Sequence, residues 1–132
     1  MKIESHLENL RESTREIEEA IRKGLLQKQR TIGFHTSAGA IDMLEIMLHK
    51  NNLVDAGFVI KHEWFKSKKK IAEKFHFNFS DKEEIIKLVT NIENMRNKLC
   101  YGKRVKEKEL ENVVQNFNKL KELFLEVTEY EL

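Results

Sequence analysis

The sequence contains no proline, a single cysteine and only five glycines among its 132 residues. Because proline is the strongest helix breaker, a chain without it that is rich in Lys, Glu, Leu and Ile is expected to be helical. One cysteine can form neither an intramolecular disulfide nor a four-thiolate metal site, which fits a reducing cytoplasm. No apolar run reaches the roughly 18 residues that a membrane span requires, and the first residues are too polar for a signal peptide. We therefore expect a cytoplasmic protein with no membrane partner, no metal site and no cofactor.

Apolar residues make up 40% of the chain and charged residues 35%, which is enough of both for one soluble domain over residues 1–132. The spacing of the apolar residues predicts five helices. Their connections are short, so neighbouring helices should be antiparallel. We therefore predict an all-α, up-and-down bundle of four long helices plus a shorter one, with helices over residues 2–28, 31–50, 55–75, 80–101 and 106–130.

The helix ends carry recognisable signals. Asp55 is a plausible cap for the third helix, and Ser80 with Glu83 three residues later has the pattern of a capping box for the fourth. Phe75, Phe77 and Phe79 alternate with polar residues, which predicts an extended connector before the fourth helix. Gly102 is expected to stop the fourth helix.

The net charge of +2 hides an uneven distribution, with basic segments over residues 61–74 and 96–108 and an acidic region from Glu109 to the last residue. A basic patch is the electrostatic footprint of a phosphate-bearing partner, whereas scattered lysines that only solvate a surface are the alternative. Whether the two segments share a surface depends on the connector between the helices. The candidate nucleic-acid-binding residues are Lys66, Lys68, Lys69, Lys98, Lys103 and Arg104.

The segment "RNKLCYGK" resembles the signature of HEPN domains, an all-helical family of nucleotide-binding and RNA-cleaving proteins. The common form of that signature is Arg-Asn, three residues and then His, often followed by Gly. Arg96, Asn97 and Gly102 match this form, and Tyr101 stands where the histidine would be. The upstream segment "GFHTSAGAIDMLEIMLHKNNL" also resembles the second helix of the family, so the similarity covers about residues 31–124.

The resemblance implies that Arg96, Asn97 and Tyr101 are the candidate catalytic residues of a metal-independent RNA cleavage. Arg96 can bind a phosphate, but tyrosine titrates near pH 10 and is a poor base in place of histidine. Five residues along a helix turn by about 140°, so one chain does not aim Arg96 and Tyr101 at the same phosphate. HEPN proteins form dimers with the two motifs facing each other, and the wide apolar surface of the second helix also favours a homodimer.

We therefore expect a HEPN-like protein that binds RNA or a nucleotide at a basic site in a dimer interface, with little or no catalysis. One alternative is a metal-independent endoribonuclease that acts as a toxin and pairs with a nucleotidyltransferase-type antitoxin. Another is a helical protein-interaction module, in which Arg96 pairs with Glu93 or with a carboxylate on the first helix and Tyr101 is half-buried. Cys100 is expected to be a small buried side chain, and His35 is a candidate for binding an anion at the start of the second helix. His62 is expected to be a structural histidine, and the alternative is a site residue, since the resemblance implies a histidine on the helix before the connector.

Overall fold

The computed structural model describes all 132 residues, and every regular element in it is helical. Four long helices and one short helix confirm the predicted all-α composition, and no helix has the length and apolar character needed to cross a membrane. Two short 3-10 turns lie between the helices. The helices are α1 (Ile3–Lys23), α2 (Gln29–Lys50), α3 (Lys68–Lys74), α4 (Lys82–Tyr101) and α5 (Glu107–Thr128), and the 3-10 turns are Leu25–Lys28 and His62–Lys66.

Helix α2 lies at the centre of the bundle, in contact with α1, α4 and α5. Fifteen of its 22 residues are buried, which explains why its sequence is apolar on most of its surface. The helices share one core cluster of 27 buried apolar residues. The apolar width of α2 is therefore used inside its own chain, so it gives no support to the predicted homodimer.

Glycine allows α2 to approach its neighbours closely at two positions. A β-carbon at Gly33 would lie 2.6 Å from Cβ of Leu99 on α4, and one at Gly39 would lie 2.8 Å from the ring of Phe117 on α5. Real side chains do not reach such distances without a shift of the neighbour. Because glycine has no β-carbon, α2 can lie this close to α4 at Gly33 and to α5 at Gly39.

The first helix ends earlier than predicted. Gly24 has a φ of +114°, a region that side-chain-bearing residues rarely adopt, and α1 stops at Lys23. A 3-10 turn, Leu25–Lys28, then reverses the chain into α2. The apolar spacing predicted one helix over residues 2–28, and this prediction was wrong because Gly24 supplies a turn within that range.

The predicted third helix over residues 55–75 is also wrong. The chain forms turns after α2, then the 3-10 turn His62–Lys66, and only Lys68–Lys74 is α-helical. Trp64 and Phe65 are buried beside Phe75, with ring centroids 6.0 and 5.7 Å from that ring. Burial of these aromatic rings at the end of the bundle stabilises the 3-10 turn, although the spacing of apolar residues predicted a continuous helix.

The ends of α4 differ from the prediction in their chemistry. Ser80 does not cap the helix; Asp81 occupies that position with a φ of +60°, and its side chain makes no capping hydrogen bond. Gly102 ends α4 as predicted, but with a φ of −92° rather than in the left-handed region. Its glycine is required for space, because a β-carbon there would lie 2.6 Å from the carbonyl oxygen of Lys98.

Candidate functional site

A polar pocket of about 390 Å³ lies between the 3-10 turn His62–Lys66 and helix α4. No apolar side chain lines it. We call it the basic pocket, because its three cations exceed its two carboxylates. Its lining residues are Lys61, His62, Glu63, Lys66, Glu93, Arg96 and Asn97.

Local structure explains why these side chains face one space. In the 3-10 turn, Trp64 and Phe65 point into the core and so hold the flanking polar residues at the surface. On α4, Glu93, Arg96 and Asn97 are three and four residues apart, a spacing that places side chains on the same helix face. The turn packs directly against α4, which brings the two sets together.

His62 is oriented by a buried carboxylate. Its Nδ1 lies 2.6 Å from Oε2 of Glu93, whose side chain is only 2% exposed. The hydroxyl of Ser37 on α2 donates to the other oxygen of Glu93 at 2.6 Å. With Nδ1–H donated to Glu93, the neutral ring carries its lone pair on Nε2, which can accept a proton. The side chain of His62 is 42% exposed, so this nitrogen is accessible to a ligand.

Arg96 has no carboxylate partner. Its only side-chain hydrogen bond within the chain runs from Nη1 to Oδ1 of the adjacent Asn97, at 3.4 Å. The alternative in which Arg96 pairs with Glu93 does not occur, because Glu93 is already bound by His62 and Ser37. The guanidinium is therefore free to bind an anion in the basic pocket.

Tyr101 lies apart from this pocket. Its side chain is 71% exposed, so the expectation of a half-buried tyrosine is wrong. It is not among the residues that line the pocket with Arg96 and Asn97. This agrees with the rotation of about 140° that five helical residues impose. His62, which the sequence favoured as a structural residue, is the histidine that lines the pocket with Arg96 and Asn97.

The remaining candidate lysines and arginine are dispersed. Lys98 forms an ion pair with Glu109 at 2.6 Å, and Lys69 lies in a separate shallow depression with Glu63 and Glu73. The carbonyl of Lys103 accepts a hydrogen bond from the Gln29 side chain. Lys68, Lys103 and Arg104 are exposed but do not line the basic pocket. The two basic segments therefore meet in the basic pocket through Lys61 and Lys66 on one side and Arg96 on the other.

Sequence reasoning missed a buried charged cluster on α1 and α2. Nδ1 of His6 lies 2.7 Å from Asp42 and its Nε2 lies 2.8 Å from Glu45. Burial alone would lower the pKa of His6, but the two carboxylates outweigh it and raise that pKa to about 9. Burial also raises the pKa of Asp42, while His6 opposes the shift. The available signal was two acidic residues, three apart, within a helix that is otherwise apolar.

Glu45 extends this cluster to the chain after α2, because its Oε1 accepts a hydrogen bond from the backbone N–H of Ile60 at 2.7 Å. Ile60 lies two residues before His62. The cluster thus helps to place the turn that forms one wall of the basic pocket. It contains no group of three side chains arranged to hold a metal ion, and no such group occurs elsewhere in the chain.

Two other residues singled out from the sequence, Cys100 and His35, lie outside the basic pocket. Cys100 is buried, as expected, and burial raises the pKa of its thiol. Nδ1 of His35 lies 3.0 Å from the Ser13 hydroxyl. Because α2 begins at Gln29, His35 lies in the second turn of the helix rather than at its start. It is therefore badly placed to bind an anion at the helix N-terminus.

The chain was compared with family models, curated proteins and solved structures. None of these comparisons found a match.

Proposed function

We propose that the protein binds the phosphate backbone of single-stranded RNA, or the phosphate of a nucleotide, in the basic pocket. The observation that carries this proposal is that Arg96, Asn97 and Lys66, three residues selected from the sequence, line the same pocket. A free guanidinium matches phosphate oxygens in two parallel hydrogen bonds, and Lys66 adds a mobile positive charge. The likeness of "RNKLCYGK" to the HEPN signature is consistent with this proposal.

Arg96→Ala should weaken binding of a short single-stranded RNA and make it less dependent on salt. Loss of one phosphate contact reduces the salt slope by about 0.7 for single strands. The matched control is Arg15→Ala, which removes an exposed arginine of α1 that lies outside the pocket. Fluorescence anisotropy at several salt concentrations measures both affinities. Equal effects of the two substitutions would show that Arg96 contributes only its general charge and would remove the proposal.

A second candidate function is metal-independent RNA cleavage, which the His62–Glu93 pair favours. His62 Nε2 would accept the proton of a ribose 2′-hydroxyl, whose oxygen attacks the adjacent phosphorus while Arg96 binds the phosphate oxygens. The bond to the 5′-oxygen breaks, and that oxygen takes the proton back from His62. The products are a 2′,3′-cyclic phosphate and a 5′-hydroxyl, with atoms and protons in balance. Tyr101 has no part in this scheme.

Cleavage is tested with an end-labelled RNA, wild-type protein and three variants. If His62 is the base, His62→Gln should slow cleavage by about a hundred- to ten-thousand-fold, while Tyr101→Phe should have no effect. If the motif position is the relevant one, wild type should be inactive and Tyr101→His should restore activity. If none of these proteins cuts RNA, the cleavage hypothesis is rejected and only binding survives.

The biological context suggested by the resemblance belongs to the second candidate. A cleaving protein would fit the toxin of a toxin–antitoxin pair, with a nucleotidyltransferase-type antitoxin as its partner. The partnership is tested by expressing this protein with and without the protein encoded by an adjacent gene and measuring the growth of the cells. Relief of growth inhibition by the neighbour would support it, and growth unaffected by either protein would contradict it.

A further inference from the structure

A second cavity, of about 410 Å³, adjoins the basic pocket on the other side of His62. We call it the α1–α2 cleft, after the two helices that form its walls. His62 lines both cavities, so they meet at this side chain. The volume is within the range of small-molecule sites in proteins.

The lining of the cleft differs from that of the basic pocket. No lysine or arginine lines the cleft, but three carboxylates do, those of Glu12, Asp42 and Glu45. His6, which pairs with Asp42 and Glu45, and the N-terminal Met1 also line it. Glu12 is exposed and makes no hydrogen bond or ion pair within the chain. Asp42 uses Oδ1 for His6, which leaves Oδ2 without a partner in the protein. The carboxylate of Glu12 and Oδ2 of Asp42 therefore remain available to accept hydrogen bonds from N–H groups of a ligand.

An aromatic side chain stands at the edge of the same cleft. Phe34 is 50% exposed, which is high for a residue of the central helix, and its ring meets that of His35 edge-on at 5.0 Å. Ala38 and Ile41 follow Phe34 at four and seven residues and also line the cleft. These apolar groups and the Phe34 ring form a surface on which a flat ring can stack, as bases do on exposed aromatic side chains.

From this arrangement we infer that the α1–α2 cleft is a nucleobase site that prefers guanine, with the phosphate of the same nucleotide in the basic pocket. Guanine carries a ring N–H beside an exocyclic amino group, and this pair of donors suits a carboxylate such as Glu12. The sugar would lie beside His62, between the base and the phosphate. The inference rests on the proposed function, because the basic pocket must hold the phosphate. The guanine can belong to a free nucleotide or to an RNA chain.

Calorimetric titration with 5′-GMP, 5′-IMP, 5′-UMP and inorganic phosphate tests the preference. We expect 5′-GMP to bind at least about tenfold more tightly than 5′-UMP, since a pair of hydrogen bonds to the base edge contributes a factor of about this size. 5′-IMP, which lacks the exocyclic amino group, should bind between them. Equal affinities for all three nucleotides would overturn the inference.

Two substitutions connect the preference to the cleft. Phe34→Ala should weaken 5′-GMP binding by about tenfold and leave phosphate binding unchanged. Leu26→Ala, which truncates a side chain of similar exposure outside the cleft, is its control. Glu12→Gln should reduce the ratio of 5′-GMP to 5′-UMP affinity, whereas Glu16→Gln on the same helix should not. Thermal melts show that each variant is folded, and unchanged 5′-GMP affinity in Phe34→Ala would reject the stacking site.

Failure of this inference is distinguishable from failure of the proposed function. Arg96→Ala should weaken all three nucleotides and phosphate together, whichever base is preferred. If Arg96→Ala has its effect but Phe34→Ala and Glu12→Gln do not, the phosphate site stands and the base site is wrong. A uridine oligomer containing one guanine, compared with one lacking it, distinguishes the sources. Tighter binding of the guanine-containing RNA assigns the site to RNA, and a preference confined to 5′-GMP assigns it to the free nucleotide.

Discussion

At the scale of single residues, the hydrogen bonds of Glu93 matter most for the basic pocket. Its two oxygens are bound by His62 and Ser37, and this leaves Arg96 without a counter-ion in the basic pocket. A buried carboxylate bound in this way orients the histidine and keeps the arginine available. Glu93 thus orients one side chain of the basic pocket, His62, and leaves another, Arg96, without a carboxylate partner.

His6 should make stability depend on pH between about 6.5 and 9. Its pKa rises from 6.5 to about 9 on folding, so the folded protein holds this proton more tightly than the unfolded chain. The resulting stabilisation is complete below pH 6.5 and disappears as the pH rises through 9. We expect a loss on the order of 1–3 kcal/mol across that window.

Urea unfolding of wild type at pH 6.5, 7.5 and 9 measures this loss directly. His6→Gln should remove the slope, and His76→Gln, which changes an exposed histidine, should preserve it. A wild-type stability that is level across this range would show that the two carboxylates do not hold the proton on His6. Burial lowers the pKa of the adjacent His49, so its own titration falls below this window.

At the scale of elements, the four long helices could be inferred from the sequence, whereas the segment between α2 and α4 could not. The four long helices follow from apolar periodicity, because each presents one face or more to a shared core. The predicted third helix failed because Trp64 and Phe65 pack as a pair with Phe75, a tertiary contact that local periodicity does not encode. The wrong helix also kept the basic pocket from being predicted, because the 3-10 turn His62–Lys66 is what brings His62 to Glu93.

Gly33→Ala should destabilise the junction of α2 and α4. Alanine is intrinsically better than glycine inside a helix by about 1 kcal/mol. However, the added β-carbon would lie 2.6 Å from Cβ of Leu99, which cannot move without its helix. Overpacking of this kind costs about 1–3 kcal/mol, so we expect a net loss of about 1 kcal/mol.

Gly57→Ala is the matched control, because a β-carbon there meets no atom within 4 Å. Its free energy of unfolding should change by less than about 0.5 kcal/mol. Chemical denaturation of both variants gives the comparison. A Gly33→Ala protein as stable as wild type would mean that α2 and α4 can separate slightly at no cost.

At the scale of the whole molecule, the sequence yielded the number and class of elements and three residues of the basic pocket. It did not yield the pairing of His62 with Glu93, or of His6 with Asp42, because both join residues more than 30 positions apart. Pairing over such distances depends on how helices are stacked. The motif search also gave Tyr101 a role by position alone, whereas the structure leaves it exposed at the end of α4.

The homodimer stays a prediction, now supported by the resemblance alone, since α2 is buried within its own chain. Sedimentation in dilute buffer should give about twice the chain mass of 15.7 kDa. Because every residue of the basic pocket comes from one chain, RNA affinity should not change when the protein is diluted. If the protein has the mass of a single chain and still binds RNA fully, the homodimer prediction is rejected and the proposed binding in the basic pocket is retained.

The close approach at Gly33 has a practical consequence for following motion in solution. Sγ of Cys100 lies behind that contact, where a β-carbon at Gly33 would be 3.1 Å away, and it is the only thiol in the chain. Because Cys100 is only 8% exposed, reaction with a thiol reagent should be slow and should speed up when α4 moves away from α2. The labelling rate of the wild-type protein therefore reports local opening at the helix that carries Arg96 and Glu93, without any engineered probe. A ligand that bridges the basic pocket should slow that rate.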